Sequence, residues 1–309
     1  MTPIIQATNI RKTYGETIAV HDVNFSVSSG ECFGLLGPNG AGKSTTINLL
    51  ACQFPLTDGQ LTINGMAVDQ ESRKIRAQLG VVSQSDNLDD ALTVLQNLLV
   101  HGRYYNLAKH AINERAKELL NLFDLSHVSQ DPIDTLSGGM KRRLVIARAL
   151  IHQPTVLILD EPTTGLDPQV RQLVWQRIRL LRERGVTVVL STHYMDEAFQ
   201  LCDRVAIMDL GRIVAVGTPS TLISEYAGNQ IIDLNQSDNG PSLTELVTRL
   251  QQEQIPYFAR SSESISVTYT GAKMDWLLEL ATSPLRPATL EDVFLRVTGR
   301  EFMDYEQQQ

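Results

Sequence analysis

The chain of 309 residues has only three cysteines, Cys32, Cys52 and Cys202, spaced far apart with no CxxC pair. Buried free thiols in a reducing compartment are the reading that fits. No uninterrupted apolar run reaches the ~18–20 residues that a bilayer span requires. The opening MTPIIQATNIRKTYG has no long apolar signal core. The expectation is a soluble, cytoplasmic chain that depends on another subunit for spans if it works at a membrane. Positive charge is also short: 27 Lys and Arg face 35 Asp and Glu, a net charge of −8, which argues against a general nucleic-acid binder. The six histidines include no H-E-x-x-H or other metal spacing, so no transition metal held by the protein is expected. Internal repeats, low-complexity tracts and heptad runs are missing too, and the terminal QQQ reads as frayed.

What is present describes an ordinary globular protein, 42% hydrophobic and 20% charged, with room for about two domains. The first seventy or so residues read as short strands: IIQATNI and IAVHDVNFSV are rich in β-branched residues, and QLTING ends in an Asn64-Gly65 turn signal. A helical region is expected over about 87–151. TVLILD and VTVVLST then return as strands around the helix PQVRQLVWQRIRLLRER. That helix should bury Val170, Leu173, Val174, Ile178 and Leu181 and stop at Gly185. The strand–helix–strand rhythm predicts an α/β fold with a parallel sheet flanked by helices, and VAIMDLGRIVAVG adds a hairpin. Composition breaks at GNQ and QSDNGPS between 225 and 242, which predicts a domain over 1–225 and a small α+β domain over 226–309.

GPNGAGKS at 37–44 fits G-x-x-x-x-G-K-[ST] without a mismatch, after an apolar strand and before a helix. Gly37, Gly40 and Gly42 let the backbone curl so that its N–H groups face phosphates. Lys43 brings positive charge to the β/γ-phosphates, and the Ser44 hydroxyl is a ligand for Mg2+. VLILDE at 156–161 supplies the complement: Asp160 at a strand end to hold Mg2+ through water, and Glu161 to accept a proton from an attacking water.

LSGGMKRRL at 136–144 raises a second phosphate question. Ser137 is a good N-cap, yet Gly138 and Gly139 in a first helical turn each cost roughly 0.5–1 kcal/mol relative to Ala. Lys141, Arg142 and Arg143 sit at the wrong end of the helix dipole. An anion close to the backbone would offset both penalties. Because 37–45 already wraps one nucleotide, a two-fold dimer is expected, in which each copy offers residues 137–139 to the other's γ-phosphate.

The order and spacing of these segments resemble an ATP-binding cassette (ABC) ATPase across roughly residues 1–225. The resemblance implies a P-loop fold with an N-terminal antiparallel β subdomain and a helical subdomain at about 87–151. It also implies ATP and Mg2+ as cofactors. Tyr14 matches the aromatic that stacks on adenine. GPNGAGKST, from Gly37 through Pro38, Asn39, Gly40, Ala41, Gly42, Lys43 and Ser44 to Thr45, matches the Walker A loop. Ser137, Gly138 and Gly139 match the signature motif, with Met140 where the family often has Gln. Gln84 matches the glutamine loop that touches Mg2+ or water, and Glu161 the catalytic glutamate. Asp167 matches a dimer-interface position and His193, in STHYMDEA, the switch histidine.

The tail PATLEDVFLRVTGRE, with SQSDNLDDALTVLQNLLVHGRYY, is similar to ABC-2-type export ATPases of the drug-resistance and nodulation-factor-export branch. That kinship implies a homodimer on the cytoplasmic face of the inner membrane, under a separately encoded ABC-2 permease. An importer ATPase, or a soluble ABC protein of translation or DNA repair, are the competing readings. The single cassette, the absent coiled coil and the acidic balance speak against the soluble class.

Overall fold

The structure is a computed structural model that describes residues 3–235, 241–261, 263–271, 274–281 and 284–299. The terminal QQQ and part of the compositional break at 225–242 lie outside the described residues.

The chain opens with β1 (Ile5–Tyr14), β2 (Thr17–Val27) and β3 (Cys32–Leu36), then α1 (Lys43–Leu50), β4 (Asp58–Ile63), β5 (Met66–Ala67), α2 (Val68–Arg76) and β6 (Leu79–Val82). The helical stretch follows as α3 (Val94–Tyr104), α4 (Lys109–Leu122) and α5 (Gly138–Ala149). Next come β7 (Val156–Asp160), α6 (Pro168–Glu183), β8 (Thr187–Thr192), α7 (Met195–Leu201), β9 (Arg204–Asp209), β10 (Arg212–Gly217) and α8 (Pro219–Leu222). The last part holds β11 (Gln230–Asn235), α9 (Leu243–Gln252), β12 (Tyr257–Ser261), β13 (Ser264–Thr268), α10 (Asp275–Leu280), β14 (Arg286–Pro287) and α11 (Leu290–Thr298).

Among the described residues these strands form three sheets. An antiparallel sheet has the order β2-β1-β4-β5, and Asn64 and Gly65, with φ of 51° and 73°, turn β4 into β5 as the NG signal predicts. The central sheet runs β10-β9-β3-β8-β7-β6, parallel except for the β9–β10 hairpin. Its buried strands are apolar on both faces, and their two-residue period divides the interior. Phe33, Leu35, Val156, Ile158, Val189, Ala206 and Met208 pack with α1 and the antiparallel sheet. Cys32, Leu36, Leu157, Leu159, Val188, Leu190, Val205 and Ile207 pack against α5, α6 and α7. Asp160 continues the parity of Ile158, so it emerges on the α1 side.

The third sheet, β12-β13-β11-β14, covers α9 and α10 through its own apolar set, including Ile232, Leu234, Leu246, Leu250 and Val267. α11 turns back, and its Leu290, Val293, Phe294 and Leu295 join the main core. Arg286 fastens this return by donating to both carboxylate oxygens of buried Asp292 (2.8 Å each) and to Asp233.

The predicted inner face of α6 needs correction at two positions. Val170 is only half-buried. Leu173 points outward, 37% exposed, and Trp175 takes the core position, its indole N–H donating to Glu197 at 2.9 Å. The buried stripe is centred on Val174, Ile178 and Leu181, and Leu173 falls a hundred degrees to its side.

Candidate nucleotide site

The loop after β3 is shaped by backbone that only glycine supplies. Gly42 has φ 98°, and a Cβ there would stand 2.6 Å from the Ala19 carbonyl; a Cβ on Gly37 would stand 2.4 Å from the Met208 carbonyl. α1 then begins at Lys43 with no side-chain cap, so its first N–H groups are open to an anion. The resulting cleft, of about 480 Å³, is lined by Ala19, Asn39, Gly40, Gly42, Lys43, Ser44 and Thr45, with Gln84 and Glu161 facing them. A larger hollow of about 790 Å³, between residues 52 and 72, holds none of the predicted site residues.

Lys43 is 4% exposed and donates to the carbonyls of Gly37 (2.8 Å) and Pro38 (3.0 Å). Its Nζ also lies 3.4 Å from Glu161 Oε1. Burial lowers the lysine's pKa, opposed by the charges of Glu161 and Asp160. Ser44 Oγ donates to Asp160 Oδ1 at 3.2 Å. A hydroxyl and a carboxylate side by side at a phosphate loop are hard oxygen donors of the kind Mg2+ takes, together with phosphate oxygens. Among the described residues no cluster of three or more His, Cys, Asp or Glu is arranged to hold a metal alone.

Glu161 sits at the exit of β7 with φ 46°, a left-handed conformation that costs an L-residue roughly 1–2 kcal/mol. Its N–H donates to Ser191 Oγ (3.0 Å) and Ser191 O (3.2 Å), and Thr164 Oγ1 donates to its Oε2 (3.1 Å). His193 Nδ1 lies 3.3 Å from Oε1 without a hydrogen bond to it. Burial would raise the Glu161 pKa, but neighbouring His193, the Lys43 charge and the Thr164 hydroxyl outweigh it and hold the carboxyl down to about 2. The group is therefore an anion over the ordinary pH range.

Ser137 caps α5, its Oγ accepting from the Met140 N–H at 3.3 Å. Gly139 has a packing reason, since a Cβ would meet Val170 Cγ1 at 2.6 Å, whereas Gly138 faces open space. Here the expectation of basic charge crowding an anion is corrected. Arg142 is 5% exposed and turned into the protein, donating to backbone carbonyls of 83–84 and 160–162. Arg143 donates to the carbonyl of Phe123 at 2.7 Å. Two of the three charges thus serve intramolecular contacts, and the exposed Ser137–Gly138 start lies outside the lining of the P-loop cleft.

The remaining predicted residues are placed as follows. Tyr14 is 44% exposed at the end of β1, edge-on to Phe54 with ring centroids 6.2 Å apart, and Lys12 Nζ lies 5.0 Å from its ring. Asp167 caps α6, accepting from the Val170 N–H at 2.9 Å, with Pro168 at the first helical position. Ser191, which sequence reasoning missed, bridges Asp160 and Glu161. Its Oγ donates to Asp160 Oδ1, an arrangement set by the parallel register that pairs the two residues. Its position just before Thr192-His193 at the end of an apolar strand was the available signal.

A buried parallel strand ending in Asp160-Glu161 beside a glycine-shaped loop and an uncapped helix defines a P-loop nucleotide-binding protein. The ABC transporter family profile matches residues 20–164. Over nearly its whole length the chain is similar to proteins named Nod factor export ATP-binding protein I. The identity is 44% for that of Rhizobium sp., covering 96% of this chain and 97% of the relative. It is 41% for that of Cupriavidus metallidurans, covering 98% and 100%. Among solved structures, a dimeric ATP-binding cassette in a post-hydrolysis state bound to ADP and Pi superposes with a TM-score of 0.64 at 30% identity, covering 69% of this chain and 98% of that one. CbiO1 from Clostridium perfringens, part of an ABC transporter complex, gives 0.68 at 26%, covering 82% and 96%. The chain belongs to the ABC transporter ATP-binding family and is an ABC ATPase.

Proposed function

We propose that the chain is the ATP-hydrolysing subunit of an ABC-2-type exporter, working as a homodimer beneath a separate permease at the cytoplasmic face of the membrane. The observation that carries the exporter reading is end-to-end similarity, α11 included, to relatives named for export. Among the described residues no helix is long and apolar enough to cross a membrane, so permeation is assigned to the partner. Residues 1–225 form the nucleotide-binding domain, and 226–309 an accessory domain fastened by α11.

In this reading residues 37–45 hold the phosphates, Tyr14 stacks on adenine, and Ser44, Gln84 and Asp160 would hold Mg2+, which would supply charge neutralisation at the phosphates. Glu161 takes the proton of the attacking water. Its ion-pair partner is Lys43, at 3.4 Å. Phosphates that draw Lys43 away remove one of the groups depressing the Glu161 pKa, so substrate binding itself raises the strength of the base. His193 contacts the γ-phosphate from the end of β8. Ser137, Gly138 and Gly139 of the second copy close the site from the other side, with Asp167 at the interface. Loss of the γ-phosphate weakens the closed dimer, and its opening resets the permease.

The test is co-purification of tagged Glu161→Gln chain from its native membranes, in mild detergent with ATP. Equal recovery of a polytopic membrane protein is expected. Recovery of ribosomes or DNA-repair proteins in its place would replace the exporter reading with the soluble one.

A further inference from the structure

Arg142 stands one turn into α5, buried, and its guanidinium is spent on backbone carbonyls. Nε donates to Pro162 O (2.8 Å), and Nη2 to Asp160 O (2.9 Å) and Glu161 O (3.0 Å). Nη1 donates to Ser83 O (2.6 Å) and more weakly to Gln84 O (3.4 Å). The Asp86 carboxylate is 3.9 Å away. Three successive carbonyls, 160 to 162, converge on one planar cation. Such convergence requires the chain to curl, and the curl is the left-handed turn at Glu161.

A neutral amide or a lysine could not reproduce this contact. The guanidinium has five N–H donors fixed in one plane, where lysine offers a point charge with three rotatable donors. The carbonyls reached belong to the two segments that carry Glu161 and Gln84. The nearest of them in sequence, that of Asp160, lies 18 residues from Arg142. Arg142 therefore ties the helix that begins with Ser137-Gly138-Gly139 to both segments at once. Ser191 fixes the N–H side of Glu161, and Arg142 fixes its C=O side.

We infer that Arg142 is a positioning residue for hydrolysis, setting the direction of the Glu161 carboxylate and the stem of Gln84 through their main chain. This rests on the ATPase reading of the site. Arg142 does not line the cleft at residues 37–45, so nucleotide binding there should be nearly independent of it, while turnover should not. A displacement of about 1 Å in a catalytic group is enough to cost about a hundredfold in rate.

The experiment uses the full chain as Arg142→Ala, Arg142→Gln and Arg142→Lys, with Arg143→Ala as the control on the same helix. Each is assayed for binding of ATP, for steady-state kcat and KM, and for thermal midpoint. Arg142→Gln and Arg142→Lys are expected to lower kcat about 30- to 100-fold while the Kd for ATP stays within about threefold. Guanidinium chloride at tens of millimolar should restore kcat of Arg142→Ala several-fold, and leave Arg143→Ala unchanged. If Arg142→Ala does not fold, the Gln and Lys variants carry the test. Parallel loss of ATP binding and kcat, or unchanged kcat in a folded Gln variant, would overturn the inference. Glu161→Gln is run alongside: turnover equal to wild type in that variant would instead remove the underlying reading of the site.

Discussion

Lys43 and Glu161 form an ion pair at 3.4 Å in which both side chains are more than nine-tenths buried, so each compensates the other's charge. Breaking such a pair from one side strands the remaining charge. Two consequences of Lys43→Ala follow. ATP affinity should fall roughly 10- to 100-fold, the equivalent of one or two charge-assisted hydrogen bonds of about 1.5–3 kcal/mol in total. The Glu161 pKa should also rise from about 2, because the lysine charge is one of the groups holding it down. Titration calorimetry with ATP and carboxyl NMR chemical shifts against pH check the two separately.

Asp167 allows its role as a helix cap to be separated from a role between subunits. Asp167→Asn keeps an oxygen that accepts from the Val170 N–H, so the midpoint of unfolding should hardly move. Asp167→Ala should cost about 1 kcal/mol. If the carboxylate also acts at the dimer interface, Asp167→Asn should weaken ATP-dependent dimerisation despite its intact stability. Equal dimerisation by Asp167→Asn and wild type would limit the residue to capping.

Two histidines next to the Gln84 loop set a pH dependence of stability. Tyr105 stacks on His152 with centroids 3.7 Å apart, His101 lies beside Tyr105, and Arg148 donates to the carbonyl of Asn87 at 2.6 Å. Burial pushes both imidazoles down to about 4, and for His101 the Arg148 charge adds to it. A folded-state pKa below the ordinary 6.5 means that the unfolded chain binds more protons between those values. Stability is therefore full above about pH 6.5 and falls as the pH drops toward about 4. The urea midpoint should be lower at pH 5 than at pH 7.5, and His101→Phe should reduce the difference. A midpoint flat across that interval would contradict the assignment.

Sequence made some of this site legible and hid the rest for a physical reason. Residues 37–45 act through their own backbone, so the loop could be read from a contiguous run. Asp160 and Glu161 could be read because an apolar strand announces where it ends. Arg142 could not, because its partners lie up to 59 residues away and are carbonyls, which leave no trace in side-chain identity. Helix polarity alone likewise says nothing of the inward turn of Arg142 and Arg143 within the basic run at 141–143. At Gly139 the first-turn glycine suggests room for an anion, and what the structure shows there is close packing against Val170. In the fold, strand and helix types followed from periodicity, while the return of α11 to the main core is a long-range packing event that periodicity does not encode.

Complementation tests the sharing of sites. Ser137→Arg protein mixed with Lys43→Ala protein yields hybrids with one site in which residues 37–45 and 137–139 are all intact. Partial recovery of ATP-dependent dimerisation is expected, to roughly a quarter to a half of wild type on mass-action mixing. Failure to recover at every mixing ratio would count against the arrangement in trans.

The most direct measurement is the stoichiometry of purified Glu161→Gln chain in the presence of ATP and Mg2+, by mass photometry with radiolabelled nucleotide. Loss of the general base should reduce turnover about 100- to 10,000-fold and leave binding intact. The expected species is a dimer that retains two ATP and falls apart when ADP is supplied in its place. A monomer that binds ATP, or a chain that no longer binds it, would contradict the assignment of Glu161 as the base in a site closed by a second copy.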